Sequence, residues 1–413
     1  MSTPLFIAGI SCTKLGKRPT DSVKALVAEA VSAALADAGA DGSHVEAAWF
    51  SNTRQPILEG QNAIRGQVAL RPLGLSGIPV ANIENACASG STALIQATAQ
   101  LRAGMIDVAL VVGAEKMVFP DRPEAVAAAF LGGTDIHDLE NTRAYARGLG
   151  IDVDDESNGK RSIFMDLYAA QARLHMQKFG TTQEDFARIA AKNHTHAQHN
   201  GRAQFRTPFT VEQVMTDREI VFPFTRAMCA PISDGAAAAI VCSEKGLRRL
   251  AIGTGRAVRI RASVLRSATI REPEAFDRHI GRLTALEAYE AAGLGPDDVD
   301  LAEVHDATAY AEVQQIENLG LAEPGSVGER LRRGDFAIGG RQPVSASGGL
   351  LAKGHPVGAT GLIQLHDLCE QLRGEAGAAQ VEGARIGIAE NGGGFLGGEE
   401  GATAVTVLER PGS

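Results

Sequence analysis

Short, unbroken apolar runs alternate along this chain with Ala-rich stretches whose apolar residues recur at helical spacing, and that alternation narrows the fold more than any other feature. Asp107 to Ala114 (DVALVVGA) reads as a strand, and Ser22 to Gly39 as a helix. Such alternation predicts an α/β protein. Between Phe119 and about Pro223 the texture changes to charged and polar residues with helical stretches and few strand-like runs, which reads as a large insertion. Strand-like sequence resumes at Ser233 to Cys242 (SDGAAAAIVC), as if the insertion interrupted a sheet just before its last strand, and the first half closes near Leu250. A second half opens at Ala257 (AVRIRASVLRSA), passes through a helix near Leu283 to Gly293 and a strand near Leu301 to Val304, and ends with Ala402 to Leu408. The expected organisation is two halves with a shared order of elements: residues 1–118 with 224–252, an inserted domain over 119–223, and 253–413. No strict short-period repeat is present, so a solenoid is not expected.

Composition removes several function classes. With 413 residues, 44 % of them hydrophobic, the chain has enough apolar mass for two cores. It carries 40 Lys plus Arg against 49 Asp plus Glu, a net charge of −9, and so lacks the basic stripe that a nucleic acid partner demands. The five cysteines (Cys12, Cys87, Cys229, Cys242, Cys369) are odd in number, far apart and free of CxxC pairs. Neither a disulfide framework nor a metal site is indicated, and a reducing, cytoplasmic setting is expected. No basic leader precedes the short apolar patch at the start, and no apolar run approaches the roughly 18 to 20 residues that span a bilayer. Secretion and membrane insertion are not expected.

Three segments carry candidate chemistry. Asn85-Ala86-Cys87-Ala88-Ser89-Gly90-Ser91 follows a strand-like stretch and precedes a helix, Thr92 to Ala103, which places Cys87 at a strand-to-helix turn. Unpaired backbone N–H groups and the helix dipole there lower a thiol's pKa, from about 8.5 into the range of roughly 3.5 to 7.5, and ready it as a nucleophile. The plainer alternative is a buried cysteine acting as a small hydrophobe. Gly354-His355-Pro356-Val357-Gly358-Ala359-Thr360-Gly361, preceded by Ser347-Gly348-Gly349, sets an imidazole at a second helix start among glycines that let a ligand approach. Cys87 and His355 thus invite a thiolate–base pair, against the alternative of a simple turn histidine. His305-Asp306-Ala307 follows a strand, where ligand crevices of α/β sheets open, unless the pair only caps the helix from Tyr310 to Asn318.

Other signals are weaker. Glu390-Asn391-Gly392-Gly393-Gly394-Phe395-Leu396-Gly397 formally contains GxGxxG, but a strand-like segment follows it, so a glycine turn offering N–H groups to a ligand oxygen suits it better than a dinucleotide site. His194, His196 and His199 read as a solvated helix end, since only His196 and His199 share a helical face. The acidic stretch Asp152 to Glu156 reads as an exposed loop.

NACASGSTAL around Cys87, SDGAAAAIV at Ser233, HDATAYAE at His305, SGGLLAKGHPVGATG ending in Gly361 and the closing NGGG turn, in this order, resemble the thiolase family. The HD pair resembles the branch of sterol carrier protein 2 thiolases and archaeal acetyl-CoA acetyltransferases. The resemblance implies a five-layer αβαβα sandwich of two similar halves with an inserted loop domain, assembled as homodimers or homotetramers. It implies that Cys87 takes the acyl group of an acyl-CoA, that His355 accepts the thiol proton, and that His305 helps hold a thioester oxygen beside His355. Backbone N–H groups of Cys87 and Gly392 would form a second oxyanion hole, with Gly348 and Gly349 lining the substrate. Coenzyme A would be a co-substrate, with no bound cofactor, and a small OB-fold, zinc-ribbon protein is a possible partner.

The chain departs from the family pattern at informative places. Glu390 stands where many thiolases have a second cysteine, and Ala307 where this branch can supply one instead. Glu390, raised in pKa by burial, or one of His305 and His355, is the expected mover of the C2 proton. Ala230 stands where relatives often have a serine near the pantetheine arm. A ketoacyl synthase and a non-catalytic or partner-dependent thiolase-like subunit are the alternatives to an acyltransferase.

Overall fold

The DVALVVGA run lies inside a nine-stranded sheet of the computed structural model, which describes residues 3–153, 161–250 and 255–412. The first half runs β1 (Leu5–Cys12), α1 (Val23–Asp37), β2 (Ala47–Ser51), α2 (Gln55–Glu59), α3 (Arg65–Leu70), β3 (Val80–Ile83), α4 (Ser89–Arg102) and β4 (Val108–Glu115). Then come α5 (Pro123–Leu131), α6 (Leu139–Gly148), α7 (Ile163–Phe179), α8 (Gln183–Ala197), α9 (Val211–Met215) and a hairpin of β5 (Glu219–Val221) and β6 (Phe224–Thr225). None of these joins the main sheet. The chain returns to it with β7 (Gly235–Ser243) and α10 (Glu244–Arg249). The second half is β8 (Val258–Ser267), α11 (Ile280–Ala292), β9 (Leu301–Glu303), α12 (Ala309–Asn318), α13 (Val327–Arg332), α14 (Gly349–Lys353), α15 (Thr360–Arg373), β10 (Ile386–Gly393) and β11 (Ala402–Glu409).

The strand order β3-β2-β4-β7-β1-β8-β11-β10-β9 makes the duplication visible. β1 and β8 meet antiparallel at the centre; β7 and β11 flank them antiparallel, β4 and β10 follow antiparallel, and β2 and β9 come next in parallel. The halves share one continuous sheet, joined through only three residue pairs, Leu5↔Ile260 to Ile7↔Val258. Strand β7, last of its half in sequence, is internal in space because it pairs with both β1 and β4.

Periodicity explains the layers. Ser22 caps α1 by accepting the Ala25 N–H at 3.2 Å, and Leu26, Val27, Ala30, Val31 and Ala34 repeat at helical spacing to bury one face on the first-half strands. Helices α4 and α15 pack against each other between the two sets of strands, with Leu94, Ala97 and Leu101 meeting Leu362, Leu365 and Leu368. Helix α11 covers the outer face of β8 and β11 and packs on α12. The result is the expected five layers, and it leaves the starts of α4 and α15 facing one another in the middle of the molecule.

One reading of a minor motif changes. His194 and His196, expected in solvent, are buried in the last turn of α8 because the helix packs on α12 and α14; only His199 is exposed. His196 Nδ1 sits 3.0 Å from the Ser345 carbonyl oxygen. In the acidic stretch Asp152 is exposed, whereas residues 154–156 lie outside the described residues.

Candidate active site

Small residues allow the chain to turn sharply between β3 and α4. Asn85 N–H donates to Ser89 Oγ at 2.8 Å, Ser89 Oγ donates to the Ala86 carbonyl at 2.6 Å, and Asn85 Nδ2 donates to Thr92 Oγ1 at 3.0 Å. Ala86 is held in the left-handed region at φ 48°. A 3₁₀ turn over Ala86–Ala88 then presents Cys87 at the entrance to α4, a few residues earlier than the helix expected from sequence. The glycine turn after β10 closes on it. A Cβ at Gly393 would lie 2.3 Å from the Asn85 carbonyl oxygen and 2.5 Å from the Ala88 nitrogen, so only glycine permits this approach.

His355 lies between α14 and α15, with its backbone N–H donating to Ser233 Oγ at 3.1 Å. Its Nδ1 is 2.7 Å from Thr360 Oγ1, and we assign the Thr360 proton to the Pro356 carbonyl at 3.4 Å. In that arrangement Nδ1 carries the ring proton, and Nε2 keeps a free lone pair. His305 follows β9. Ser91 Oγ donates to Asn391 Oδ1 at 2.9 Å, and this turns Asn391 Nδ2 to within 3.3 Å of His305 Nδ1. That makes Nδ1 of His305 the acceptor and puts its proton on Nε2, the opposite tautomer to His355. Cys87 Sγ and one ring nitrogen from each of His305 and His355 all lie within 4.8 Å of one another.

Burial sets the resting protonation. It pushes the Cys87 thiol up to about 11, outweighing the nearby Arg54 charge and the Gly394 N–H that donates towards the sulfur. The low thiol pKa expected at a helix start is therefore overturned. Desolvation also holds His305 at about 4 and His355 well below the usual imidazole range, the latter helped by His305 and Arg54. The resting cluster is a neutral thiol with two neutral imidazoles. One acts as acceptor and the other as donor. Three such ligands suit zinc in chemical type, but the adjoining Arg54 charge disfavours a cation. His366, Asp367 and Glu370 also gather, yet Lys353 and Arg202 already occupy those carboxylates.

The remaining expected residues fall in different places. Glu390 is buried in β10 and does not line the cavity. Its Oε2 accepts the His305 N–H at 3.0 Å, while Oε1 has no partner, and desolvation followed by the Glu400 charge raises its pKa well above the carboxylate range. Gly392 belongs to the β10 ladder, opposite Thr403; the cavity is lined by Gly393 and Gly394 instead. Gly348 and Gly349 lie outside the cavity lining, with positive φ, and let Asp306 accept from the Leu350 and Leu351 N–H groups at the start of α14.

A cavity of about 840 Å³ opens over Cys87, His305 and His355. Phe130 and Phe164, Tyr168, Phe205 and Phe209 from the inserted segment wall it, and exposed Lys17, Arg218 and Arg226 belong to its lining. His194, which the sequence reading assigned to solvent, also lines it, with its ring 4.6 Å from that of Phe209 and its pKa lowered to about 4 by burial. Sequence reasoning also missed Arg54 and Cys229. Their only signal was position, Arg54 three residues past the end of β2 and Cys229 just before the SDGAAAAIV block.

Comparison with known proteins identifies the family of this chain. The N-terminal thiolase domain matches residues 6–245, and a thiolase C-terminal domain-like family matches 264–410. The chain is 37 % identical over 410 residues to an acetyl-CoA acetyltransferase of Methanothermobacter thermautotrophicus, covering 98 % of this chain and 99 % of that one. It is 36 % identical to sterol carrier protein 2 of Bos taurus, covering 94 % of this chain and 69 % of that protein. It is 33 % identical to the benzoylsuccinyl-CoA thiolase subunit BbsB of Thauera aromatica, covering 92 % and 91 %. A solved structure, the Ltp2-ChsH2(DUF35) aldolase, shares the fold with a TM-score of 0.76 at 22 % identity, over 98 % of each chain. With both domains matched in order and relatives aligned along nearly its whole length, the chain belongs to the thiolase family.

Proposed function

We propose that the protein is an acyl-CoA C-acyltransferase of thiolase type working through a thioester on Cys87, with coenzyme A as substrate or product and no resident cofactor. The observation that carries this reading is the gathering of Cys87, His305 and His355 within 4.8 Å, and the opposite tautomers assigned to the two rings support it. In the first half-reaction Cys87 attacks the thioester carbon while His355 takes the thiol proton and passes it to the departing CoA sulfur. In this reading the N–H groups of Cys87 and Gly394, the latter directed at the sulfur at rest, receive the developing oxyanion. His355, neutral again, then takes a C2 proton from a second acyl-CoA, whose enolate oxygen receives the Nε2–H of His305. Attack of that carbanion on the acyl-enzyme forms the 3-oxoacyl-CoA, and His355 returns its proton to Cys87. Thiolysis is the reverse.

Neutral Cys87 does not weaken this scheme, because proton transfer and attack occur together once substrate excludes water. Glu390, placed behind His305, supports that histidine's backbone as an uncharged acid and is not the proton carrier. The five free cysteines fit a cytoplasmic setting, and the half-exposed edge strand β3 fits a homo-oligomer. The test is thiolysis of 3-oxoacyl-CoAs of increasing size. CoA-dependent cleavage lost in Cys87→Ala and His355→Ala supports the proposal; cleavage that survives Cys87→Ala overturns the thioester route.

A second reading, a partner-dependent subunit, is favoured by one observation: no thiol occupies either expected second position, Glu390 or Ala307. Thiolysis appearing only on addition of an OB-fold, zinc-ribbon partner would select it.

A further inference from the structure

Arg54 is an unusual wall for an acyl pocket. It follows β2, is 5 % exposed, and lines the cavity beside Cys87, Phe130 and Gly394. Only one of its guanidinium nitrogens is bonded: Nη1 donates to the Ala129 carbonyl in the last turn of α5. Nε is buried without a partner, and Nη2 makes no hydrogen bond among the described residues. No carboxylate among the described residues forms an ion pair with it. The Phe130 ring, 5.6 Å from the guanidinium carbon, supplies a cation–π contact only.

Glu115 is the carboxylate one would expect to balance this charge, and its oxygens are already taken. Oε1 accepts from Asn52 Nδ2 and the Arg54 backbone N–H, both at 2.9 Å. Oε2 accepts from Thr53 N–H and Oγ1 at 3.0 Å and from Gly358 N–H at 2.9 Å. Glu115 thus attracts the Arg54 charge only through space, and a buried guanidinium that no carboxylate bonds is costly, with a planar fork that matches a carboxylate. The cavity wall beside it is largely aromatic, and the carboxylate in the lining, Asp217, is ion-paired with Arg226 at 2.8 Å.

We propose that Arg54 is the specificity residue of this pocket and that the acyl group taken there bears a carboxylate, making the substrate a 3-oxoacyl-CoA of dicarboxylic type. The inference rests on the acyl-transfer reading above and adds the substrate class. The ligand's carboxylate meets the unbonded Nη2 side of the guanidinium and supplies the bonded carboxylate it lacks, while the aromatic wall packs the intervening carbons. Two other roles for Arg54 make different predictions. A pure clasp for α5, or a charge that only assists Cys87, would affect charged and neutral substrates alike.

The experiment is single-turnover acylation of Cys87 by succinyl-, glutaryl- and adipyl-CoA, each against its branched neutral counterpart: 4-methylpentanoyl-, 5-methylhexanoyl- and 6-methylheptanoyl-CoA. At least one carboxylated ester is expected to react tenfold or more faster than its counterpart. Arg54→Met is expected to lower that ratio at least tenfold, and Arg54→Lys, which keeps the charge without the fork, to lower it less. Equal rates in the native enzyme, or faster reaction of the neutral esters, would overturn the carboxylate proposal while leaving acyl transfer intact. A ratio unchanged in Arg54→Met would overturn the role of Arg54. If Arg54→Met does not fold, the native ratio and its change in Arg54→Lys decide the matter. No acyl group on Cys87 from either series would overturn the acyl-transfer reading and this proposal with it.

Discussion

The imidazoles of His305 and His355 stand edge to face, with ring centroids 5.0 Å apart and planes at 80°. Each is fixed by a different hydroxyl or amide, so one offers a lone pair and the other a proton to the same small volume. A pair of identical side chains thereby acquires two chemical roles, set by Thr360 and Asn391.

The protonation states predict the pH profile. His305 stays neutral down to about 4, and the Cys87 thiol persists up to about 11, so the rate of Cys87 acylation should be flat between pH 6 and 9. A preformed thiolate would instead give a rate that rises towards a pKa within that window. The matching observation is alkylation by iodoacetamide at pH 8, expected to be roughly a hundredfold slower at Cys87 than at a free cysteine of pKa about 8.5.

The two half-reactions should separate by mutation. Asn391→Leu removes the group that turns His305, so condensation should fall by about ten- to a hundredfold while acylation of Cys87 falls less. Thr360→Val should slow acylation itself by about tenfold, because His355 loses its tautomer partner. Rapid-quench measurement of the acyl-enzyme beside steady-state product formation distinguishes them.

Glu390→Gln should keep activity within about threefold. The amide oxygen still accepts the His305 N–H, and the carboxyl it replaces is pushed towards its uncharged form by burial and lies outside the cavity. A loss of a hundredfold or more would make Glu390 the proton carrier.

Acid stability follows from the buried histidines. His194 and His305 titrate at about 4 and His196 at about 3, below the unfolded value of about 6.5, so the unfolded chain binds more protons between these limits. Their contribution is complete above pH 6.5 and is lost as pH falls towards 4. Glu390 has the opposite sign: its raised pKa adds stability below its unfolded value, which is lost as pH rises. His279 and His355 act in the same sense as these histidines, and Glu115, Asp166, Glu303, Asp306 and Glu400 in the same sense as Glu390, so the histidine part is isolated with His196→Gln, whose urea midpoint should lose less than the native protein's between pH 7 and pH 4.5.

Lys353 anchors α14 and the turn carrying His355. It is 1 % exposed, 3.0 Å from Glu303 Oε2 and ion-paired with Asp367. Lys353→Met leaves those carboxylates buried without their cation and should cost about 3 to 5 kcal/mol, read by urea unfolding.

Much of this was legible in the sequence. Apolar runs marked β4, β7 and β11, the last interrupted by Thr403 and Thr406, because strands covered on both faces need no alternation. Glycine and small residues around Cys87 and His355 marked two tight turns, and the structure brings both to one point. The thiol's acidity was misjudged because a helix start is visible in sequence and burial is not. For the same reason His194 and His196 were assigned to solvent: their helix packs on α12 and α14, which are far away in the chain. Arg54 had no signal beyond its position after β2, since what singles it out is the absence of a bonded carboxylate in three dimensions.

The central claim is a covalent acyl group on Cys87, and intact-protein and peptide mass spectrometry after brief exposure to acyl-CoAs and 3-oxoacyl-CoAs tests it most directly. The account predicts an acyl mass on the peptide that contains Cys87, removed by free CoA and absent from Cys87→Ala. An unmodified Cys87 across the whole panel, in protein that still cleaves a 3-oxoacyl-CoA, would contradict it.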